Sequence, residues 1–158
     1  MLTKTIFQDM YFPYIDDELK DKIKEEGDYH EWIYTTHVGI EMMCYINRTE
    51  LGTLCGYVVI DDKDNDLFGK HYTDTSFIKV HGGITYSDFD NDDNWVFGFD
   101  CAHIYDRIPA FDNDYFSKKI YRDMEYVISE CESLSDQLSV FSKSKIRDIK
   151  INKILKNE

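Results

Sequence analysis

Apolar positions recur with two different periods along this chain. Over residues 114–141 they fall at Ile120, Met124, Val127, Ile128, Cys131, Leu134, Leu138 and Phe141, mostly in steps of three and four with charge between them. That spacing predicts the strongest helix in the chain. Residues 14–27 predict a shorter helix, with acids in the first turn and Gly27 as its stop. Between the two the period shortens. Residues 37–47, 53–60, 77–80, 84–87 and 95–101 are rich in Val, Ile, Tyr, Phe and Trp and are separated by Gly, Asn and Asp clusters, so they predict strands. Arg48 to Gly52 reads as a hairpin connection. The order implies an α+β fold: a twisted antiparallel sheet of about five strands with a long C-terminal helix packed on one face.

Charge divides the chain further. The net charge of −13 opposes nucleic acid or an anionic membrane as the main partner, because repulsion acts before contact forms. Within residues 143–158, six basic residues face only Asp148 and Glu158, giving +4 and leaving −17 for residues 1–142. Residues 1–142 therefore read as one domain, and 143–158 as a basic, helical tail that packs on the acidic body or on a second subunit. Residues 61–66 and 88–93 carry four Asp each. Neither has the central Gly and terminal Glu of a calcium loop, so they read as solvated turns. The 4 cysteines form no CxxC pair and read as buried thiols. With no membrane span or signal peptide visible, the expected location is the cytoplasm.

Candidate chemistry concentrates in two stretches. Val80-His81-Gly82-Gly83-Ile84-Thr85-Tyr86 sets an imidazole beside paired glycines, whose exposed N–H groups a ligand oxygen can approach. Trp95-Val96-Phe97-Gly98-Phe99 runs directly into Asp100-x-x-His103-x-x-Asp106, placing polar groups at the end of a buried strand. Three readings stay open for these residues: a polar ligand site, a metal or acid/base site, and a corner whose aspartates merely satisfy half-buried histidines. The spacing is not that of a HExxH site, which places metal last. His30, His37 and His71 lie apart and read as surface or turn residues. Most aromatics read as core, but Tyr86, next to the glycine turn, is placed to stack on a base, and Trp95 lies in the same strand as Asp100. Arg48, at a strand end, reads as the phosphate or carboxylate partner.

Taken together, Arg48, Gly56-Tyr57-Val58, Val80 to Tyr86, Trp95 to Asp106, Tyr121 to Val127, and Glu130, Leu134, Gln137 and Leu138 resemble an uncharacterised family of small bacteriophage and bacterial proteins. Its signature runs VHGGxTY, WxxGFDxAHxxD and YRDxEYV. The likeness covers roughly residues 30–140. Where the family often carries a His-Pro step after GYV, this chain has Asp61 to Asp66.

The resemblance implies a shared pocket and a phage setting, and carries no reaction with it. Small phage proteins include several that hold the nucleotide messengers of bacterial immunity. The expected function is thus sequestration of a nucleotide-derived immune signal, a cyclic oligonucleotide or an ADP-ribose derivative, without cleavage. The expected ligand residues are Arg48, His81, Gly82, Gly83, Tyr86, Trp95, Asp100, His103 and Asp106, with no cofactor, no metal and self-association of the chain. The alternatives are a hydrolase, perhaps metal-assisted, that acts on a similar ligand, and a structural or protein-binding module.

Overall fold

The computed structural model describes residues 12–111 and 119–156. Helix α1 (Asp17–Glu26) opens on Asp16, whose carboxylate accepts the Leu19 N–H, and closes at Gly27. Five strands follow: β1 (Tyr29–Thr35), β2 (Glu41–Arg48), β3 (Leu54–Ile60), β4 (Tyr86–Phe89) and β5 (Trp95–Asp100). They form one antiparallel sheet in the order β1-β2-β3-β5-β4. Helices α2 (Met124–Ser139) and α3 (Lys143–Leu155) complete the chain. The α+β architecture is therefore the one the periodicities predict.

The inner face of the sheet carries Met42, Cys44 and Ile46 from β2, Leu54, Val58 and Ile60 from β3, and Trp95, Phe97 and Phe99 from β5. Val127, Cys131, Leu134 and Leu138 of α2 are fully buried against it, and burying each Val or Leu side chain stabilises by about 1.5–3 kcal/mol. The four cysteines are free thiols, as expected. Burial pushes the Cys44 and Cys55 thiols up to about 11. The 95–101 region carries no alternation because its outward side chains, Val96 and Gly98, are also covered.

Three predicted elements shift. β1 was not predicted, and β2 starts at Glu41, since residues 36–40 make the β1–β2 turn. Residues 77–80 are not a strand. Instead Lys79 is clasped by a side chain of α2: its N–H donates to Gln137 Oε1 (2.8 Å) and its C=O accepts from Gln137 Nε2 (2.7 Å). A primary amide has both a donor and an acceptor, so it satisfies backbone as a neighbouring strand would. Third, α2 begins only at Met124, capped by Asp123, and residues 114–118 of the predicted helix lie outside the described residues.

The outer face presents rows of side chains in register. One runs Glu31, Tyr45, Tyr57, Gly98, Tyr86 across all five strands. Tyr45 and Tyr57 stack at 4.7 Å between centroids, and Tyr86 meets Tyr57 edge-on at 5.6 Å. Gly98 makes room for this: a Cβ there would sit 2.6 Å from Cδ1 of Tyr57. Among the described residues no helix lies on this face, and Tyr29, Ile33, Met43 and Tyr86 are exposed.

Candidate functional site

The two stretches singled out in the sequence do meet. The loop 80–85 runs beside α2 and the segment after β5, and Asp106 is the centre of the junction. Its carboxylate is only 1% exposed and takes three donors: His81 Nε2 at 2.7 Å and the His103 N–H at 3.0 Å on Oδ2, and Arg122 Nε at 2.9 Å on Oδ1. Burial by itself would raise the pKa of this carboxyl. The hydrogen bonds from His81, Arg122 and the His103 backbone outweigh that and hold it below the usual carboxylate range. Asp106 is thus an ionised, internally neutralised anchor.

His81 is held at three points. An ionised Asp106 only accepts, so Nε2 carries the proton, which leaves Nδ1 for the Tyr126 hydroxyl at 2.9 Å. Its backbone N–H donates to Glu130 Oε2 at 2.7 Å. The Arg122 guanidinium lies 4.7 Å from the Tyr126 ring centroid while pairing with Asp106. Arg122, Tyr126 and Glu130 follow one another at four-residue spacing, so they line one side of the helix and its entry. Sequence reasoning missed all three as site residues. Yet they lie within the YRDxEYV stretch and its continuation, and their spacing is the readable signal.

Gly82 and Gly83 both have positive φ, +66° and +85°, where side chains with a Cβ are strained. At Gly82 the side of the chain where a Cβ would project is filled by the His103 ring, whereas at Gly83 it is open space. The Gly83 N–H donates to the Val80 carbonyl at 2.9 Å, so the expected nest of paired free N–H groups is not formed: one glycine meets a histidine and the other's N–H is spent in the turn. His103 packs 5.3 Å from the His81 ring, and its side chain is a third exposed. Its Nε2 is buried and has no hydrogen-bond partner among the described residues, since Asp100 Oδ1 at 3.7 Å is too far. Asp100 is committed elsewhere: Oδ2 accepts from Thr85 Oγ1 at 2.9 Å and Oδ1 from the Ala102 N–H at 3.1 Å. Tyr86 projects from the outer face of the sheet beside Asp100, because its partner Gly98 is two residues from Asp100 on β5. His81, Gly82, Gly83, Asp100, His103 and Asp106 are brought together, with Tyr86 at their rim.

Two expected ligand residues are placed elsewhere. Arg48 lies at the β2 end against α1, and its side chain is fully buried. Its nitrogens donate to the carbonyls of Gly27 and Gly52, to the Tyr121 hydroxyl and to Glu26, with Asp28 at 3.3 Å. A guanidinium with every nitrogen engaged ties chain segments together and offers nothing to a ligand. Arg122 is the cation at the corner instead. Trp95 sits at the opposite end of β5 from Asp100, about 17 Å away along an extended strand, and packs edge-on with Phe89 and Phe97. It belongs to the core because the inner-face register of β5 puts it there.

The remaining histidines are local. His37 pairs with Asp136, His71 caps a short 3-10 turn, and His30 stacks on Trp32. Among the described residues, no group of three His, Cys, Asp or Glu side chains is arranged to hold a metal ion, and no helix is long and apolar enough to cross a membrane. No family model, no curated protein and no solved structure matches this chain.

Proposed function

We propose that the corner formed by the 80–86 loop, the end of β5 and the start of α2 captures a small, nucleotide-like ligand and releases it unchanged. The observation that carries this reading is the unpartnered Nε2 of His103. A buried polar nitrogen without a partner is costly and calls for an explanation, and a ligand oxygen or ring nitrogen that reaches it by displacing the Gly82 turn supplies one. Around it stand the open side of Gly83, the partly exposed Asp100, the Tyr86 ring and the Arg122 guanidinium. Those are free space beside a glycine, a carboxylate for ribose or base N–H groups, an aromatic face and a cation.

Capture is favoured over hydrolysis by the state of the acid/base groups. His81 is oriented by Asp106, but its other ring nitrogen is held by the Tyr126 hydroxyl and its side chain is largely buried, and Asp100 does not orient His103, so neither histidine presents an oriented, free ring nitrogen to a substrate. The charge of −13 works against an anionic ligand, but at physiological salt its field is screened beyond about 8 Å while Arg122 is local. Together with the resemblance to small phage proteins, this supports removal of a nucleotide-derived immune signal inside the host cytoplasm. The test is incubation with cyclic dinucleotides, cyclic trinucleotides and ADP-ribose isomers, followed by heating and analysis of what is released. Intact ligand recovered from the protein is expected. An altered ligand would replace capture with hydrolysis, and no binding across the panel would leave the corner a structural one.

A further inference from the structure

Helix α3 is unusual within this fold because none of its residues is buried. It is attached to its own body by Ile146 and Ile149, which are partly buried against the main core, and by ion pairs from Lys143 to Asp66 and from Lys145 to Asp61. Ile151, Ile154 and Leu155 remain exposed. An isolated helix of 13 residues is marginal in water, so packing has to hold it. Along its free side Ile151 and Ile154 continue from the partly buried Ile146 into an apolar groove whose walls include Arg147 and Lys150.

The outer face of the sheet is its complement. Ile33 and Met43 are cross-strand neighbours, 56% and 45% exposed, and next to them runs the tyrosine row. Acids frame this surface: Glu31 on β1, and Asp88 and Asp90 at the β4 edge. The dimensions agree as well. Thirteen helical residues span about 20 Å at 1.5 Å each, and five strands about 4.8 Å apart span about 19 Å.

We propose that α3 of one protomer docks across the outer sheet face of a second copy of this chain. It lies along the row of Ile33 and Met43, its Arg147 and Lys150 facing the framing acids. The basic side chains of α3 meet the acids Glu31, Asp88 and Asp90 around this face, which favours this pairing over sheet on sheet or helix on helix. The row lies on the far side of the tyrosines from Asp100, so docking leaves the ligand corner open.

The test is the mass of the full chain in solution, by light scattering and sedimentation at about 50 µM. The wild type is expected to be a dimer that dissociates about tenfold more readily in 1 M salt, where the screening length falls to about 3 Å. One variant carries Ile151→Glu with Ile154→Glu, the other Ile33→Glu with Met43→Glu, and each is expected to be a monomer alone. Mixed, they are expected to form a heterodimer, because the first still offers an intact sheet face and the second an intact helix. Circular dichroism checks the fold, and if the helix variant loses helix, Lys150→Glu at an exposed position carries the same test. A monomeric wild type, a variant that remains dimeric alone, or a mixture that stays monomeric overturns the proposal.

Discussion

Two arginine-centred clusters show what separates a polar junction that only holds a fold together from one that is available to a ligand. At the β2 end, Arg48 neutralises Glu26 and Asp28, closes the carbonyls of Gly27 and Gly52 and is wholly sealed. At the other, Arg122 neutralises Asp106 while His81 donates a hydrogen bond to it, but above them His103 and Asp100 stay about a third exposed and His103 Nε2 lacks a partner among the described residues. The first spends all its hydrogen-bonding capacity internally. The second spends it in the lower layer and leaves the upper layer open, which is how a rigid support and a usable surface coexist.

The comparison breaks most visibly at Arg48. Arg48→Met leaves two mostly buried carboxylates without their cation, and is expected to cost about 3–5 kcal/mol, read as a fall in the urea midpoint. A loss under 1 kcal/mol would mean that the junction is not structural. Asp106→Asn, which keeps the shape but strips the charge from His81 and Arg122, is expected to cost about 1.5–3 kcal/mol and to weaken ligand binding indirectly. His81→Ala belongs with it. In the sequence His81 reads as a ligand residue beside a glycine turn, yet its three attachments make it part of the support, so the variant should melt early as well as bind poorly.

Acid sharpens the same contrast. The folded Asp106 carboxyl has a pKa below its unfolded value near 3.9, so its contribution is complete above about pH 5 and is lost as pH falls through the folded value. Asp123 and Asp136, lowered by their bonds to Lys22 and His37 against the opposing effect of burial, act in the same direction. Urea midpoints measured from pH 6 to pH 2.5 should decline below about pH 4, and less steeply in Asp106→Asn. A flat profile would show that these carboxylates gain nothing from folding.

The smallest effect on stability is expected at His103. Removing a nitrogen that has no partner costs little, so His103→Ala should change the midpoint by no more than about 0.5 kcal/mol. Its affinity for the captured ligand should nevertheless drop by up to about tenfold, the worth of one neutral hydrogen bond. Thermal unfolding and calorimetric titration of this one variant separate the two quantities. Destabilisation with unchanged binding would move His103 into the support.

Much of this arrangement was legible in the residues. Period gave the sheet and α2, and the Val80 to Tyr86 and Asp100 to Asp106 stretches do converge. What escaped has physical reasons. Arg48 sits at a strand end, as a ligand cation would, and only the tertiary contacts of α1 with Gly27 and Tyr121 show its donors to be spent. Residues 77–80 look β-like because Ile78 and Val80, two residues apart, face the core, but the clasp that satisfies Lys79 comes from Gln137, 58 positions away. β1 escaped because it is an edge strand, and in the strand pattern exposed, exposed, exposed, intermediate, exposed, intermediate, exposed no position is fully buried. The role of Gly82 depends on His103, which no local pattern encodes.

The account rests on the upper layer of the Asp106 corner being the ligand surface. Amide hydrogen exchange of the wild-type chain, with and without the tightest binder from the panel of cyclic dinucleotides, cyclic trinucleotides and ADP-ribose isomers, tests that most directly. Slower exchange is predicted in residues 81–86 and 101–106, with residues 26–28 and 49–53 around Arg48 unchanged. Protection confined to the Arg48 junction, or to the outer face of β1 and β2, would contradict it.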